Sequence, residues 1–445
     1  MKVLKFGGTS VGSVESIRNV KSISCTGDEK KLLVLSAMSG VTNQLVSITE
    51  YIKSDDVTGI AKIIADLQIK HSEAIEDLIQ DDLLQFETKR EISGILAELE
   101  AIAKLEYTEE VYSRVVTSGE RMLTCIFSKY LESCGVENHL LDARDFMKVN
   151  NLENPDTDLV GDNFRNTVSS LSEADIYITQ GFVRLDENNK ISTLKRGGSD
   201  YTATILGAAL NAEAVQIWTD IDGFHNNDPR YVEQTHPIAE LSFEEAAELA
   251  YFGAKILHPQ TVSPVIHKNI PVYLKNTFTP HLPGTRISGQ STGQGLKAIS
   301  AKDGITAIKI KSNRMLMAHG FLRKIFEVFD RHQTAIDMIT TSEIAISLTI
   351  DDNRNLDKII EEIQDYGEII VERDHSIICL VGEGVIEDKK ASRIFELLHD
   401  TSIRMISYGG SNNNISLLVA TSNKINVLQK LHQKVFEVKP VGGFV

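Results

Sequence analysis

Lys5-Phe-Gly-Gly-Thr-Ser10 comes directly after a short apolar run, Lys2 to Phe6. Paired glycines there can bring backbone amides against a phosphate, with Lys5 supplying a point charge. A tight strand-to-helix turn with a solvated lysine accounts for the same residues. No Gly-Lys-Ser/Thr ending makes this a Walker A loop, and no GxGxxG dinucleotide fingerprint occurs in the chain. Lys195-Arg-Gly-Gly-Ser-Asp200 repeats the combination, with two glycines beside cations ahead of a helical apolar pattern. Two such loops suit one polyanion held from two sides; a flexible turn followed by a Ser or Asp helix cap is the competing account. Trp218-Thr-Asp-Ile-Asp-Gly-Phe-His-Asn-Asn-Asp-Pro-Arg230 reads as a strand end entering a polar loop. Ligands of open α/β sheets lie beyond the carboxyl ends of strands, so a base and ribose fit there, as does a plain surface hairpin. Gly253-Ala-Lys-Ile-Leu-His-Pro259 sets Lys255 just past a helix C-terminus, where it meets a phosphate or merely complements the helix dipole.

These loops need strands and helices to hold them. Apolar, β-branched runs at Lys2 to Phe6, Leu32 to Ser36, Ile176 to Thr179, Ala214 to Thr219 and Pro271 to Lys275 alternate with helical segments. That alternation predicts a mostly parallel sheet covered by helices. From about 57 to 133 the apolar residues recur at helical spacing with few glycines, which predicts a helical insertion. Ser242-Phe-Glu-Glu245 has the spacing of a capping box opening a helix that ends near Gly253. Turn-rich clusters between Phe278 and Gly295 mark a domain boundary. Beyond them, two passes of short strand and helix patterns, each roughly 70 residues, predict two ferredoxin-like units. In the first, Phe321, Ile325 and Phe329 recur every fourth residue, and the amides at Gly320 to Leu322 open that helix toward an anion. Asp337-Met-Ile-Thr-Thr-Ser-Glu343 then supplies carboxylates suited to ammonium groups.

The chain has 445 residues, with 46 Lys plus Arg against 62 Asp plus Glu, a net charge of −16. That length asks for more than one core. The acidic balance argues against a nucleic-acid surface and favours small-molecule ligands. Cys25, Cys125, Cys134 and Cys379 have neither disulfide-framework nor zinc spacing, consistent with a reducing cytoplasm. The N-terminal apolar run is too short for a signal peptide, and no 18-residue apolar stretch suggests a membrane span.

The segments KFGGTS, LSAMSGVTN, TSGE, RGGSD, WTDxDGxxxxDPR and GAKILHP occur in this order, and together the chain resembles the aspartate kinases of the amino-acid-kinase family, nearly end to end. The resemblance implies an α/β fold: an amino-acid-kinase-type mostly parallel sheet sandwiched by helices over 1–290. Two ferredoxin-like ACT units follow, over 303–375 and 376–445, the second completed by a strand at 296–302. It implies transfer of the γ-phosphoryl of ATP, taken with Mg2+, to the β-carboxylate of aspartate. In that assignment Lys5 and Lys255 neutralise phosphates, Gly7 and Gly8 offer amides, and Asp200 orients the lysines. Arg196 grips the aspartate α-carboxylate, Glu120 takes its ammonium, and Ser36, Thr42 and Ser199 line the pocket. Thr219, Asp220, His225, Arg230 and Ile256 fall where relatives hold ATP. Two departures stand out: Lys195 where relatives carry Gly, and His225 where they carry Tyr or a small apolar residue. Met315, Gly320, Phe321, Leu322, Asp337, Thr341, Ser342 and Glu343 match the effector site of lysine-inhibited members, with Ala318 in place of Ser. Lysine is the expected inhibitor, threonine its main competitor. The ACT units imply at least a homodimer, with tetramers left open.

Overall fold

The computed structural model describes residues 1–437 other than 196, 254–256, 291–292, 313–318 and 388–392. Strand β1 (Lys2–Phe6) buries Val3, Leu4 and Phe6 because it is flanked on both sides. Helix α1 (Val14–Ser24) follows, its first turn capped by Ser13, and leads to β2 (Lys31–Leu35), which pairs parallel to β1. Next come α2 (Val41–Lys53) and a run of four helices, α3 (Val57–Leu78), α4 (Asp82–Ile102), α5 (Glu109–Val116) and α6 (Ser118–Ser133). Asp56, Asp81 and Thr108 cap three of these, each accepting from an amide three residues on, so the chain restarts a helix at every polar turn. Their apolar faces join the first sheet in one core with Leu33, Leu35, Ile178 and Trp218.

The chain re-enters that sheet as β3 (Asn138–Leu141), then passes α7 (Ala143–Phe146) and α8 (Thr157–Val168) to β4 (Ile176–Gln180). A small antiparallel hairpin, β5 (Val183–Leu185) and β6 (Ile191–Thr193), precedes α9 (Gly198–Ala209). Strand β7 (Ala214–Thr219) then pairs parallel to the far side of β1. The elements β8 (Glu240–Ser242), α11 (Pro259–Ile266), β9 (Val272–Asn276) and β10 (Thr285–Ser288) complete this half, with α10 (Phe243–Tyr251) between β8 and α11 in the chain. The strand order is β3-β4-β2-β1-β7-β9-β10-β8, parallel throughout except for the antiparallel β9–β10 pair. Buried on both faces, the central strands carry the nearly continuous apolar runs that a covered parallel sheet demands.

The remaining strands form a second, antiparallel sheet: β11 (Ala298–Lys311), β12 (Ile339–Thr341), β13 (Ala345–Ile350), β14 (Glu368–Val381), β15 (Ile403–Ser411) and β16 (Asn414–Ala420), in the order β12-β13-β11-β14-β16-β15. Helices α12 (Phe321–Arg331), α13 (Leu356–Ile363), α14 (Arg393–Leu397) and α15 (Lys424–His432) accompany it. The two ferredoxin-like units share their long strands. In β11, Ala298–Lys302 pairs with Ile377–Val381 of β14, and Ala307–Lys311 pairs with Glu368–Glu372. A register shift separates the halves near Gly304 (φ 78°), with Asp374 (φ 61°) opposite, so a bulge marks where one unit passes into the next.

The chain divides into two compact units, but not by a single cut. The first contains Met1–Phe224, Ala239–Phe243 and Leu257–Gln290; the second contains the described residues of His225–Ile238, Glu244–Ile256 and Ser291–Val445. Two segments expected within the 1–290 domain therefore pack with the second unit. The reason is local: Val232 is buried among Val427, Leu428 and Leu431, and Asn413 and Asn414 bind Glu244 and Glu248 of α10 at 2.7 and 2.6 Å. Glu245 in the first turn of α10 also pairs with Lys297 at 3.0 Å. Among the described residues no helix is long and apolar enough to cross a membrane.

Candidate active site

The carboxyl ends of β1, β2, β4 and β7 gather the polar residues of the first unit. After β1 the chain turns tightly, the amides of Ser10 and Val11 both donating to Gly7 O. Gly7 N–H donates to Trp218 O at 3.3 Å, so this amide is engaged within the protein. Of the two glycine amides expected to face a phosphate, that of Gly7 is therefore taken by the protein, while that of Gly8 has no backbone partner among the described residues. A side chain on Gly7 would stand 3.1 Å from Lys5 Nζ, so glycine keeps that ammonium accessible. Ser10, not singled out from the sequence, ties the loop down through Trp218 O at 3.1 Å and Thr277 Oγ1 at 2.7 Å.

Lys5 Nζ lies 2.6 Å from Asp200 Oδ1, an ion pair outside hydrogen-bond geometry, with the two side chains 12% and 15% exposed. Asp200 sits in the first turn of α9, where a carboxylate is favoured by the helix dipole. One residue earlier, Ser199 Oγ accepts from Ser36 Oγ at 3.0 Å, which links the loop after β2 to the start of α9. Beside it, Ala37 N–H donates to Glu120 Oε1 at 3.3 Å. Glu120 is buried in the first turn of α6, and its Oε2 has no hydrogen-bond partner. Burial pushes its carboxyl up to about 7, against the lowering pull of its own backbone and of the Ala37 amide. A buried carboxyl with one unsatisfied oxygen is a ready acceptor for an ammonium group. Thr42 stands half-buried in the first turn of α2.

The structure thus brings Lys5, Gly8, Ser36, Glu120, Ser199 and Asp200 to one region of the first unit. Arg196, Lys255 and Ile256 lie outside the described residues. The remaining nucleotide positions are split: Thr219 and Asp220 belong to the first unit, His225 and Arg230 to the second. Thr219 Oγ1 donates to Asp220 Oδ1 at 3.0 Å, and His225 Nδ1 meets Thr235 Oγ1 at 3.0 Å. The Arg230 fork closes on Asp228, with contacts of 2.9, 3.1 and 2.6 Å, so it now grips a protein carboxylate. Lys195 holds φ 60°, a left-handed conformation that glycine adopts freely and that costs a side chain ~1–2 kcal/mol. This is the physical reason a glycine suits that position. Phe182, also unanticipated, holds φ 72° with its ring against Gly198. Its signal in the sequence, Gln-Gly-Phe after a buried strand, is weak.

In the second unit, Gly320 (φ 80°) opens α12, Phe321 is packed in the core with Ile346 and Leu348, and Leu322 is 39% exposed. Asp337 N–H donates to Thr349 O, placing it just before β12, which contains Thr341. Ser342 shapes the following turn through Ala345, and Glu343 is exposed. Met315 and Ala318 lie outside the described residues.

The sequence profile of the amino acid kinase family matches residues 1–276, and that of the ACT domain matches 378–435. A lysine-sensitive aspartokinase 3 of Escherichia coli is 32% identical over 448 residues, covering 98% of this chain and 99% of the relative. The chain belongs to the aspartokinases of the amino acid kinase family. Solved structures agree with this membership. Escherichia coli aspartokinase III in complex with aspartate and ADP superposes with a TM-score of 0.83 at 31% identity, covering 98% of this chain and all of that one. The same enzyme in complex with lysine and aspartate gives a TM-score of 0.83 at 31% identity, covering 98% and 99%. As a member of the family, this chain is an ATP-dependent kinase.

Proposed function

We propose that the protein transfers the γ-phosphoryl of ATP to the β-carboxylate of L-aspartate, forming 4-phospho-L-aspartate, the first step toward lysine, threonine and methionine. The carrying observation is the Lys5–Asp200 ion pair set beside Glu120, in a member of the aspartokinase family. Both reactants are anions, so catalysis rests on alignment and charge neutralisation more than on covalent work. Lys5, held by Asp200, is placed to meet the transferring phosphoryl group, and Gly8 offers its free amide beside it. The acceptor carboxylate is ionised at neutral pH and needs no general base. Glu120 receives the substrate ammonium, which the unsatisfied Oε2 favours, and Arg196 takes the α-carboxylate by resemblance to the family. Ser36, Ser199 and Thr42 line the same pocket. Lys255, Ile256, Thr219, Asp220, His225 and Arg230 are assigned to the nucleotide, Arg230 after release from Asp228. Donors at the loop, an ammonium and a backbone amide, suit phosphates that carry their own Mg2+, an ion that takes most of its ligands from phosphate and water.

Lysine is the inhibitor in this reading, supported by the lysine complex of the Escherichia coli relative. Gly320 to Leu322 would receive its α-carboxylate, and Asp337, Thr341, Ser342 and Glu343 its ammonium groups, with Met315 completing the site. The edge strands β12 and β15 expose Ile339, Ile406 and Tyr408, which fits edge-to-edge pairing of two chains into a homodimer. Free thiols at all four cysteines fit a cytoplasmic setting.

The test is an assay of the purified protein with ATP, Mg2+ and aspartate, trapping the acyl phosphate with hydroxylamine while titrating lysine and threonine. Aspartyl hydroxamate is expected, and its absence overturns the kinase reading. Glu343→Ala should relieve lysine inhibition while sparing turnover; an unmoved inhibition curve would reject the effector assignment alone.

A further inference from the structure

The segment from Ser36 to Gly40 carries the chain from β2 into α2 and brings Ser36 and Ala37 to the candidate site. Ser36 N–H donates to Phe6 O at 3.1 Å, its hydroxyl donates to Ser199 Oγ at 3.0 Å, and Ala37 N–H reaches Glu120 Oε1. Met38 is buried, and Val41 N–H returns to Met38 O at 3.0 Å, closing a turn around Ser39 and Gly40. Gly40 has φ 80° and ψ −16°, the conformation of the third residue of a type II turn. The carbonyl between the two central residues of such a turn faces away from the closing hydrogen bond, so Ser39 O has no donor within the turn.

Lys70 provides that donor. Its Nζ donates to Ser39 O at 2.6 Å, across 31 positions of the chain. The lysine stands on α3, where Leu67, His71, Ala74 and Ile75 are buried, so a packed helix sets where the ammonium is offered. Gly40 has open space where a side chain would stand, and nothing there opposes rotation of the Ser39–Gly40 peptide. Once the ammonium is removed, that peptide can turn its carbonyl to water, and the turn that fixes the Ala37 amide slackens.

We propose that Lys70 is a positioning residue for aspartate binding: by holding the Ser39 carbonyl it fixes the Met38–Val41 turn and, through it, the Ala37 amide on Glu120. This rests on the reading of Glu120 as the acceptor of the substrate ammonium. The helical insertion then does more than enlarge the core, since one of its side chains sets the geometry of the substrate loop. An ammonium on Glu120 is held in the ground state and the transition state alike, so the effect belongs in KM. The Ala37 amide also lowers the Glu120 carboxyl against burial, and no charged side chain contributes to that balance. Arg121, its neighbour in the chain, pairs with Glu98 at 2.9 Å. A slackened turn gives up part of the lowering, which moves the ionisation of Glu120 to higher pH.

Lys70→Met keeps an unbranched stem and removes the charge. It should raise the KM for aspartate at least threefold with kcat within twofold of the parent, and shift the acid limb of kcat/KM for aspartate upward. Lys70→Arg, which retains a cationic donor, should return the KM to within twofold of the parent and restore the limb. Lys89→Met, which breaks a surface pair with Glu76 in the same insertion, should leave both quantities unmoved. An unchanged KM and limb in Lys70→Met, or equal changes in Lys89→Met, overturns the proposal. A parent protein whose acid limb survives Glu120→Gln instead overturns the reading of Glu120, and the role of Lys70 falls with it.

Discussion

Glu120 shows how one residue links substrate binding to pH. With its carboxyl at about 7 in the free protein, ionisation must precede pairing with the aspartate ammonium. The kcat/KM for aspartate should therefore fall below pH 7, by up to tenfold per unit, a limb measurable in a pH–rate profile. Glu120→Gln should lower kcat/KM and abolish that limb. The stability effect runs the other way. A carboxyl whose folded value lies above its unfolded one stabilises most at low pH, and that contribution is lost as pH rises from about 4.5 through about 7. At pH 8 the Gln variant should be more stable by ~2 kcal/mol, read from chemical denaturation. Equal stability of the two proteins at pH 8 would contradict this account of burial.

At the scale of elements, α6 delivers Glu120 by packing against α2 and the loop after β2 with almost no space between them. A side chain on Gly119 would stand 2.8 Å from Ala37 Cβ, 3.1 Å from Val41 Cγ1 and 3.2 Å from Leu45 Cδ1. Replacing glycine by alanine within a helix ordinarily stabilises by ~1 kcal/mol. Here overpacking, typically ~1–3 kcal/mol, should reverse the sign. Gly119→Ala is expected to destabilise the fold by about 1 kcal/mol in urea unfolding and to raise the KM for aspartate, since Ala37 and Glu120 move with the helix. A gain in stability would mean that α2 yields and the contact is soft.

For the whole molecule, the segments carrying His225, Arg230 and α10 fold with the antiparallel sheet of the second unit. Besides the burial of Val232, Tyr231 O accepts from Gln429 at 3.0 Å, and Lys424 sits 4.0 Å over the Tyr231 ring. A chain ending at Gln290 would lose these partners. Residues 1–290 expressed alone should lack kinase activity and show rapid amide exchange across 225–238 and 244–253. Retained activity would show that the first unit orders those segments by itself.

How much of this was legible beforehand follows from the range of each interaction. The strand at Lys2 to Phe6, the helices between 57 and 133 and the loop motifs are local: apolar period, turn residues and cap spacing are properties of neighbouring residues. The sequence alone therefore determined the succession of elements and the charged residues offered to two anions. Only the tertiary structure decided that Gly7 directs its amide to Trp218, that Arg230 closes on Asp228, and that Tyr251 reaches Asp337 across 86 positions. It also decided which compact unit each nucleotide segment joins. Such pairings depend on burial and on distances between residues far apart in the chain, quantities that no periodicity carries, because the free energy of a hydrogen bond or ion pair is set by what surrounds it after folding.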